Sequence, residues 1–381
     1  TTTQTFTVTV TAVNDAPTLT TVSTLTGATE DTALTITYAT LAAAADEADA
    51  EGSAVSFRVE AVSTGTLTKG GAAVVARLNV FNRARSPVLE FKESDRNVLL
   101  LGDNLGALRV RGRLVGREVI WEHRPDDGAT FREIARHPFH GYQEDWQPLA
   151  FASDNRTLWL ISRQKHDRGA LHAYNTATGS LGEPLFTPAE GELEDSLVTT
   201  PDRTRLLGVA YETVRRRYHW FDADRAALQT KLENTFAGSD VRITSESQDQ
   251  TVKLIWVGHD REPGTYFVLD EKAGALTLFK RMRRIDPAEL QPRRPVSYRA
   301  RDGLLIHGYL TLPPNAAGRR VPLIVHPHGG PFGVRDSWGF DADAQFLASR
   351  GYAVLQPNYR GSGGYGRDFI NRCRHQWGRA M

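Results

Sequence analysis

The sequence predicts a mostly β chain of three successive parts: a partial β-sandwich, an incomplete β-propeller, and the opening of an α/β sheet domain. Three observations carry this reading. The first part alternates threonine with apolar residues at period two, as in Thr5-Phe6-Thr7-Val8-Thr9-Val10-Thr11-Ala12-Val13, the pattern of a half-buried strand. Along the middle of the chain an aspartate-containing marker recurs at a near-constant interval. Near the C-terminus two short apolar runs each lead into a glycine-rich turn, with a helical pattern between them.

The first part, residues 1–76, is set apart by charge. Eight acids stand against Arg58 and Lys69, so this stretch carries −6 and the remainder +7, against +1 for the whole chain. Such a seam argues for two unrelated modules. Asn14-Asp15-Ala16-Pro17 ends the first strand, and further strands are expected at 33–38 and 55–62. Asp15, Glu30, Asp46, Asp49 and Glu51 supply the carboxylate oxygens that a calcium ion takes, and serve equally as a solvated acidic loop.

The second part, residues 77–290, repeats. Asp154, Asp202 and Asp249 recur at intervals of 48 and 47, each followed by a short polar turn and an apolar run. Asn175, Asp222 and Asp270 keep step, each read as closing a strand before a turn. A period of this size with two or three strands per unit means propeller blades, and an earlier copy at Asp95 gives four to five of them. Tyr142, Asp145, Trp146, Glu192 and Glu194 are the acidic and aromatic loop residues placed to line a substrate channel. His123, His137 and His140 read as loop or surface histidines.

The third part, residues 291–381, follows a linker marked by Pro287, Pro292 and Pro295. Residues 296–300 and 304–312 form an antiparallel hairpin around Asp302-Gly303, and 321–325 and 352–356 read as buried parallel strands. The helix between them carries Phe346 and Leu347 and ends at Gly351, a C-terminal cap. After the first parallel strand comes His326-Pro327-His328-Gly329-Gly330-Pro331, whose glycine N–H groups are unshielded by side chains, as an oxyanion hole requires. His326 and His328 make a poor metal pair, since no cysteine or carboxylate stands nearby.

Arg301-Asp302-Gly303, Gly308-Tyr309-Leu310, Pro313, His326 to Pro331, Trp338, Gly351 to Val354, Asn358 to Gly366 and Trp377-Gly378 together resemble the prolyl oligopeptidase family of serine peptidases. The resemblance is to its acylaminoacyl-peptidase and dipeptidyl-peptidase-like branch. It implies a truncated α/β-hydrolase domain after the propeller, hydrolysis of short peptides through an acyl-enzyme, and no cofactor. It implies further that the Gly330 N–H holds the oxyanion, with His328 and Gly329 shaping the loop. Family propellers have about seven or eight blades, so the front of this one is expected to be missing. No serine here sits on a Gly-x-Ser-x-Gly elbow. Ser362 follows Arg360-Gly361, and Ser63 belongs to the threonine-rich part. The elbow, with the acid and histidine of the triad, is expected beyond Met381, leaving this chain without its own nucleophile.

Residues 1–76 resemble the cadherin-like repeats of large bacterial surface adhesins, on Val13-Asn14-Asp15-Ala16-Pro17, Glu30-Asp31-Thr32 and the acidic loop at 45–52. The alternative function is therefore a calcium-stabilised surface adhesin or other binding module. Extent favours the peptidase, since about 300 of 381 residues follow its pattern. The near-neutral charge gives no pull towards nucleic acid, and no apolar stretch is long enough to span a bilayer. Cys373 is the only cysteine, so no intrachain disulfide forms. A chain that starts on Thr1 without a basic, apolar leader shows no signal peptide, suggests a fragment, and leaves its compartment open.

Overall fold

The computed structural model describes residues 10–12, 40, 57–59, 72–78, 85–92, 96–141, 143–164, 166–330 and 332–381. The chain forms two compact units, Thr1–Ser94 and Asp95–Met381.

In the first unit β1 (Val10–Ala12) pairs antiparallel with β2 (Phe57–Val59), and β3 (Ala72–Leu78) with β4 (Arg85–Lys92). β1 and β2 lie inside two of the three segments expected as strands. The third, 33–38, lies outside the described residues, as do Ser63 and the carboxylates Asp15, Glu30, Asp46, Asp49 and Glu51.

The second unit opens with four antiparallel sheets of the propeller. The first is β5 (Arg96–Gly102), β6 (Leu108–Val115), β7 (Glu118–His123) and β8 (Arg132–Pro138). The second is β9 (Trp146–Phe151), β10 (Thr157–Ser162), β11 (Ala170–Asn175) and β12 (Ser180–Phe186). The third has three strands, β13 (Glu192–Thr199), β14 (Leu206–Glu212) and β15 (Arg216–Trp220), followed by helix α1 (Ala223–Thr235). The fourth is β16 (Asp240–Glu246), β17 (Val252–His259), β18 (Glu262–Asp270) and β19 (Ala275–Arg281).

The recurring aspartates are one turn used three times, between the first and second strands of successive sheets. Asp154 Oδ1 accepts from the N–H of Arg156 and of Thr157, and Thr157 Oγ1 donates to Oδ2. Asp202 binds Thr204, and Asp249 binds Thr251, through backbone and hydroxyl in the same way. In each turn the next residue has positive φ: Asn155 at 51°, Arg203 at 57° and Gln250 at 57°. These are Asx turns, in which a side chain substitutes for a backbone acceptor. In the first sheet the corresponding turn is held by Asp103, which accepts from the N–H groups of Leu105 and Ala107. Asp95 lies outside the described residues. The second marker is less uniform. Asn175 and Asp270 do end strands, whereas Asp222 is the N-cap of α1, accepting from Arg225 N at 2.9 Å.

Apolar residues of neighbouring sheets meet in the cores. Val110, Val119 and Trp121 pack with Trp146, Phe151, Leu158, Leu160 and Tyr174, and Ile161 and Leu171 pack with Leu193 and Val209. Helix α1 covers the fourth sheet through Leu232 on Val241, Ile255 and Val257. Two of the histidines read as surface residues belong here instead. His137 is buried in β8 with its ring 5.4 Å from that of Trp146, and His123 in β7 is half-buried against Phe151 and Arg109. Both are strand residues, so their place is set by the pleat.

After a 3₁₀ turn at Pro287–Glu289 the chain enters a mixed sheet of order β20-β21-β23-β22. Strand β20 (Arg293–Arg299) pairs antiparallel with β21 (Leu305–Thr311), β21 antiparallel with β23 (Ala353–Asn358), and β22 (Leu323–Val325) parallel with β23. Pro295, expected in the linker, lies within β20, an edge strand that tolerates a missing N–H. Strand β22, expected to be buried, is only three residues long at the opposite edge, and Leu323 and Val325 are more than half exposed. In β23 Val354 is fully buried. Helix α2 (Ala342–Ser349) is capped by Asp341 and ends before Gly351 at φ 94°. It buries Ala344, Gln345 and Ala348, while Phe346 is exposed beneath the Arg350 guanidinium. Helix α3 (Arg367–Asn371) follows the second glycine-rich loop. Among the described residues no helix is long and apolar enough to cross a membrane.

Candidate active site

The loop after β22 is held by the loop after β23. Tyr359 OH donates to the carbonyl of His328 at 2.9 Å, and the two rings stack at 4.4 Å. His328 Nδ1 lies 2.7 Å from Gly329 O, and Nε2 lies 2.7 Å from Ser362 Oγ. Ser362 is fully buried and its hydroxyl donates to Tyr359 O at 2.7 Å, so it serves the loop and is closed to a substrate. Gly330 has φ 142°, and a Cβ there would come within 3.3 Å of Phe332 N and Val334 Cβ. The position therefore needs glycine. Arg360, in the place where an elbow needs a small residue, forms a two-pronged ion pair with Asp302, at 2.6 and 2.9 Å. That pair ties the β20–β21 turn to the end of β23.

Beside these loops lies a cavity of about 780 Å³. Gly333, Arg335, Gly363, Gly364 and Ile370 of the α/β part line it, with propeller residues from β7, β9 and the start of β13. Its wall carries five acids, Glu144, Glu192, Glu194, Asp195 and Glu212, against two arginines, Arg163 and Arg335. Of the five residues expected in a channel, Trp146, Glu192 and Glu194 line this cavity. Asp145 is instead engaged by Arg367 and His140, and Tyr142 lies outside the described residues. Arg163, Glu212 and Arg335 carry no sequence signal of their own, because each lies one strand or loop away from a recognisable motif.

The acids differ in their engagement. Glu194 meets Arg216 at 2.7 Å, and burial pushes its carboxyl up. Glu192 is 5% exposed; its Oε1 accepts from Arg163 Nη2 at 3.0 Å and from Gly169 N at 2.9 Å. Its Oε2 is buried without a hydrogen-bond partner. Burial pushes the Glu192 carboxyl up as well, against the opposing pull of Arg163. Arg335 donates to Thr213 O at 3.1 Å, its guanidinium lies 4.7 Å over the Tyr365 ring, and Glu212 stands 3.9 Å from its Nε. Among the described residues no three histidine, cysteine or acidic side chains gather as a metal site.

Comparison with known proteins places these features. Residues 338–381 match the prolyl oligopeptidase family. Dipeptidyl aminopeptidase BIII of Pseudoxanthomonas mexicana is 32% identical over 281 residues, which cover 68% of this chain and 39% of that protein. This chain is similar to the prolyl oligopeptidase family, through that match and over two thirds of its own length. Dipeptidyl peptidase family member 6 of Caenorhabditis elegans is 28% identical over 296 residues, 70% of this chain and 39% of that protein. The chain thus spans about two-fifths of the length of these relatives. Among solved structures, a puromycin-hydrolyzing peptidase of Mycobacterium tuberculosis superposes with TM-score 0.57 at 20% identity, over 79% of this chain and 47% of that one. The fold, a propeller followed by part of an α/β-hydrolase, is that of the prolyl oligopeptidase family. The adhesin alternative finds no support among these relatives, which are peptidases.

Proposed function

We propose that this chain supplies the oxyanion loop and the substrate-amine wall of a serine peptidase that removes short units from peptides with a free amino terminus. The observation that carries this is Glu192, a buried carboxylate with one oxygen engaged and the other unpartnered, in the acid-rich wall of the cavity beside the oxyanion loop. A charge-assisted hydrogen bond from a substrate ammonium satisfies that oxygen. The names of the two relatives, a dipeptidyl aminopeptidase and a dipeptidyl peptidase family member, agree with an exopeptidase.

In this reading the N–H of Gly330 receives the developing oxyanion, and His328 and Gly329 hold the loop in shape. The nucleophile is none of the serines in this sequence. The propeller occupies 77–290 and the hydrolase part begins at 291. No cofactor enters the peptidase chemistry. In residues 1–76 the carboxylates Asp15, Glu30, Asp46, Asp49 and Glu51 form a calcium set, tested by titrating calcium into the chain and into its five-fold alanine variant. For the peptidase reading the test is calorimetric titration of the full chain with alanyl-alanine amide and its N-acetyl form. Preference for the free amine is expected, and equal binding of both peptides refutes it.

A further inference from the structure

The asymmetry of the two Glu192 oxygens has a specific cause. Arg163 is the largest fully buried side chain among the described residues, and its guanidinium spends Nη2 on Glu192 Oε1 and Nη1 on Gln147 Oε1, at 3.0 and 3.1 Å. Gly169 adds the second donor to the same oxygen, and only glycine allows it. A Cβ there would lie 3.0 Å from Glu192 Oε1 and 3.3 Å from Arg163 Cζ, and would collide with Ile161 Cγ2. Two donors, Arg163 Nη2 and Gly169 N, therefore converge on one oxygen while the other is buried without a partner.

The backbone of Arg163 is tied as firmly to the α/β part. Its carbonyl accepts from Arg367 Nη2 at 3.1 Å, and its N–H donates to Asp145 O at 2.8 Å. The Asp145 carboxylate takes the other arm of Arg367, and Asp167 accepts from the N–H groups of Arg367 and Asp368. One residue thus fixes the proposed amine acceptor through its side chain and the start of α3 through its backbone.

We infer that Arg163 is the positioning residue of the amine site, holding Glu192 in one orientation with Oε2 reserved for the substrate ammonium. This rests on the amine-recognition reading above. It assigns Arg163 no contact with the substrate. Its electrostatic effect adds to its geometric one. Of the charged groups around Glu192, Arg163 favours the ionised carboxylate, and Asp167 opposes it. Glu194, Glu212 and Arg335 share the cavity wall. A free carboxylate is what the ammonium needs, so binding weakens as pH falls through the Glu192 pKa, and removing Arg163 moves that loss to higher pH.

The test uses the full chain and calorimetric titration with alanyl-alanine amide and its N-acetyl form, from mildly acidic to neutral pH. Arg163→Met is expected to cut the preference for the free amine about ten-fold, the worth of a hydrogen bond to a charged group. Binding of the acetylated peptide stays unchanged, and the acid midpoint for the free amine moves up. Arg163→Lys restores the charge without the planar fork and gives an intermediate preference and midpoint. An Arg163→Met chain with wild-type preference and midpoint overturns the inference. If that variant fails to fold by circular dichroism, Arg163→Lys decides alone, and a wild-type preference and midpoint there overturn it equally. A wild-type chain that binds both peptides alike removes the amine reading itself, a separate outcome.

Discussion

Replacing Gly308 by alanine tests how the sheet positions the loops after β22 and β23. Gly308 sits in β21 opposite Pro357 of β23. A Cβ there would lie 2.5 Å from the carbonyl oxygen of Gln356 and 3.0 Å from Pro357 Cα. Ordinary contact begins near 3.4 Å, so close to 1 Å of separation must be found between two backbones. No side chain can swing aside to provide it. Overpacking costs about 1–3 kcal/mol, and the upper end applies because both obstacles are main-chain atoms. The strain falls one residue before Asn358, whose side chain holds Asp336 through two hydrogen bonds, and close to Arg360 and its pair with Asp302. We expect a lower denaturant midpoint for the second unit and faster amide exchange at 353–362, with 96–260 unchanged. A Gly308→Ala chain with the wild-type midpoint and exchange pattern would falsify the claim that close approach of these strands sets the loop.

Further outcomes rest on single features. Ser362→Ala is expected to cost about 1 kcal/mol through its lost hydrogen bonds, and mass spectrometry after fluorophosphonate treatment should find Ser362 unmodified in the wild type. A labelled Ser362 would sink its structural assignment. Leu160→Ala, in a fully buried position of the core between the first two sheets, should cost about 2–5 kcal/mol in urea unfolding. A loss below about 1 kcal/mol would mean that core is loose. Burial and Arg109 hold the His123 pKa down, from 6.5 to about 4. The unfolded chain therefore binds the proton first as pH falls, so stability drops from pH 6.5 to about 4 and levels below. His123→Gln should flatten that part of the stability-pH curve, and an unchanged slope would place the titration elsewhere.

Features that depend on one short segment were the legible ones. The aspartate period is readable because an Asx turn is decided within four residues, and Asp154, Asp202 and Asp249 each make it with their own neighbours. The hairpin at Asp302-Gly303 and the cap at Gly351 are local in the same sense. Asp222 shows the limit, since the same Asx chemistry closes a strand or opens a helix, and here the helix-forming run from Ala223 decides. Burial was less legible. Nothing in Leu323-Ile324-Val325 distinguishes an edge strand from an inner one, and His137 enters the core through the alternation of β8. For the site, the glycine-rich loops and the acids Glu192 and Glu194 could be read, but not the distinct states of their oxygens. Those depend on Arg163 and Gly169, brought to Glu192 across 29 and 23 residues of sequence.

The triplicated turn has a consequence for engineering. Its second position demands a left-handed backbone, which asparagine accepts readily and most other residues adopt at a penalty of roughly 1–2 kcal/mol. The chain answers that demand with asparagine once, at Asn155, and with Arg203 and Gln250 in the other two copies. The propeller thereby contains its own consensus, obtained by aligning the protein with itself. Arg203→Asn and Gln250→Asn transplant the better solution into two separate sheets. Their gains should add, because the two turns share no partner.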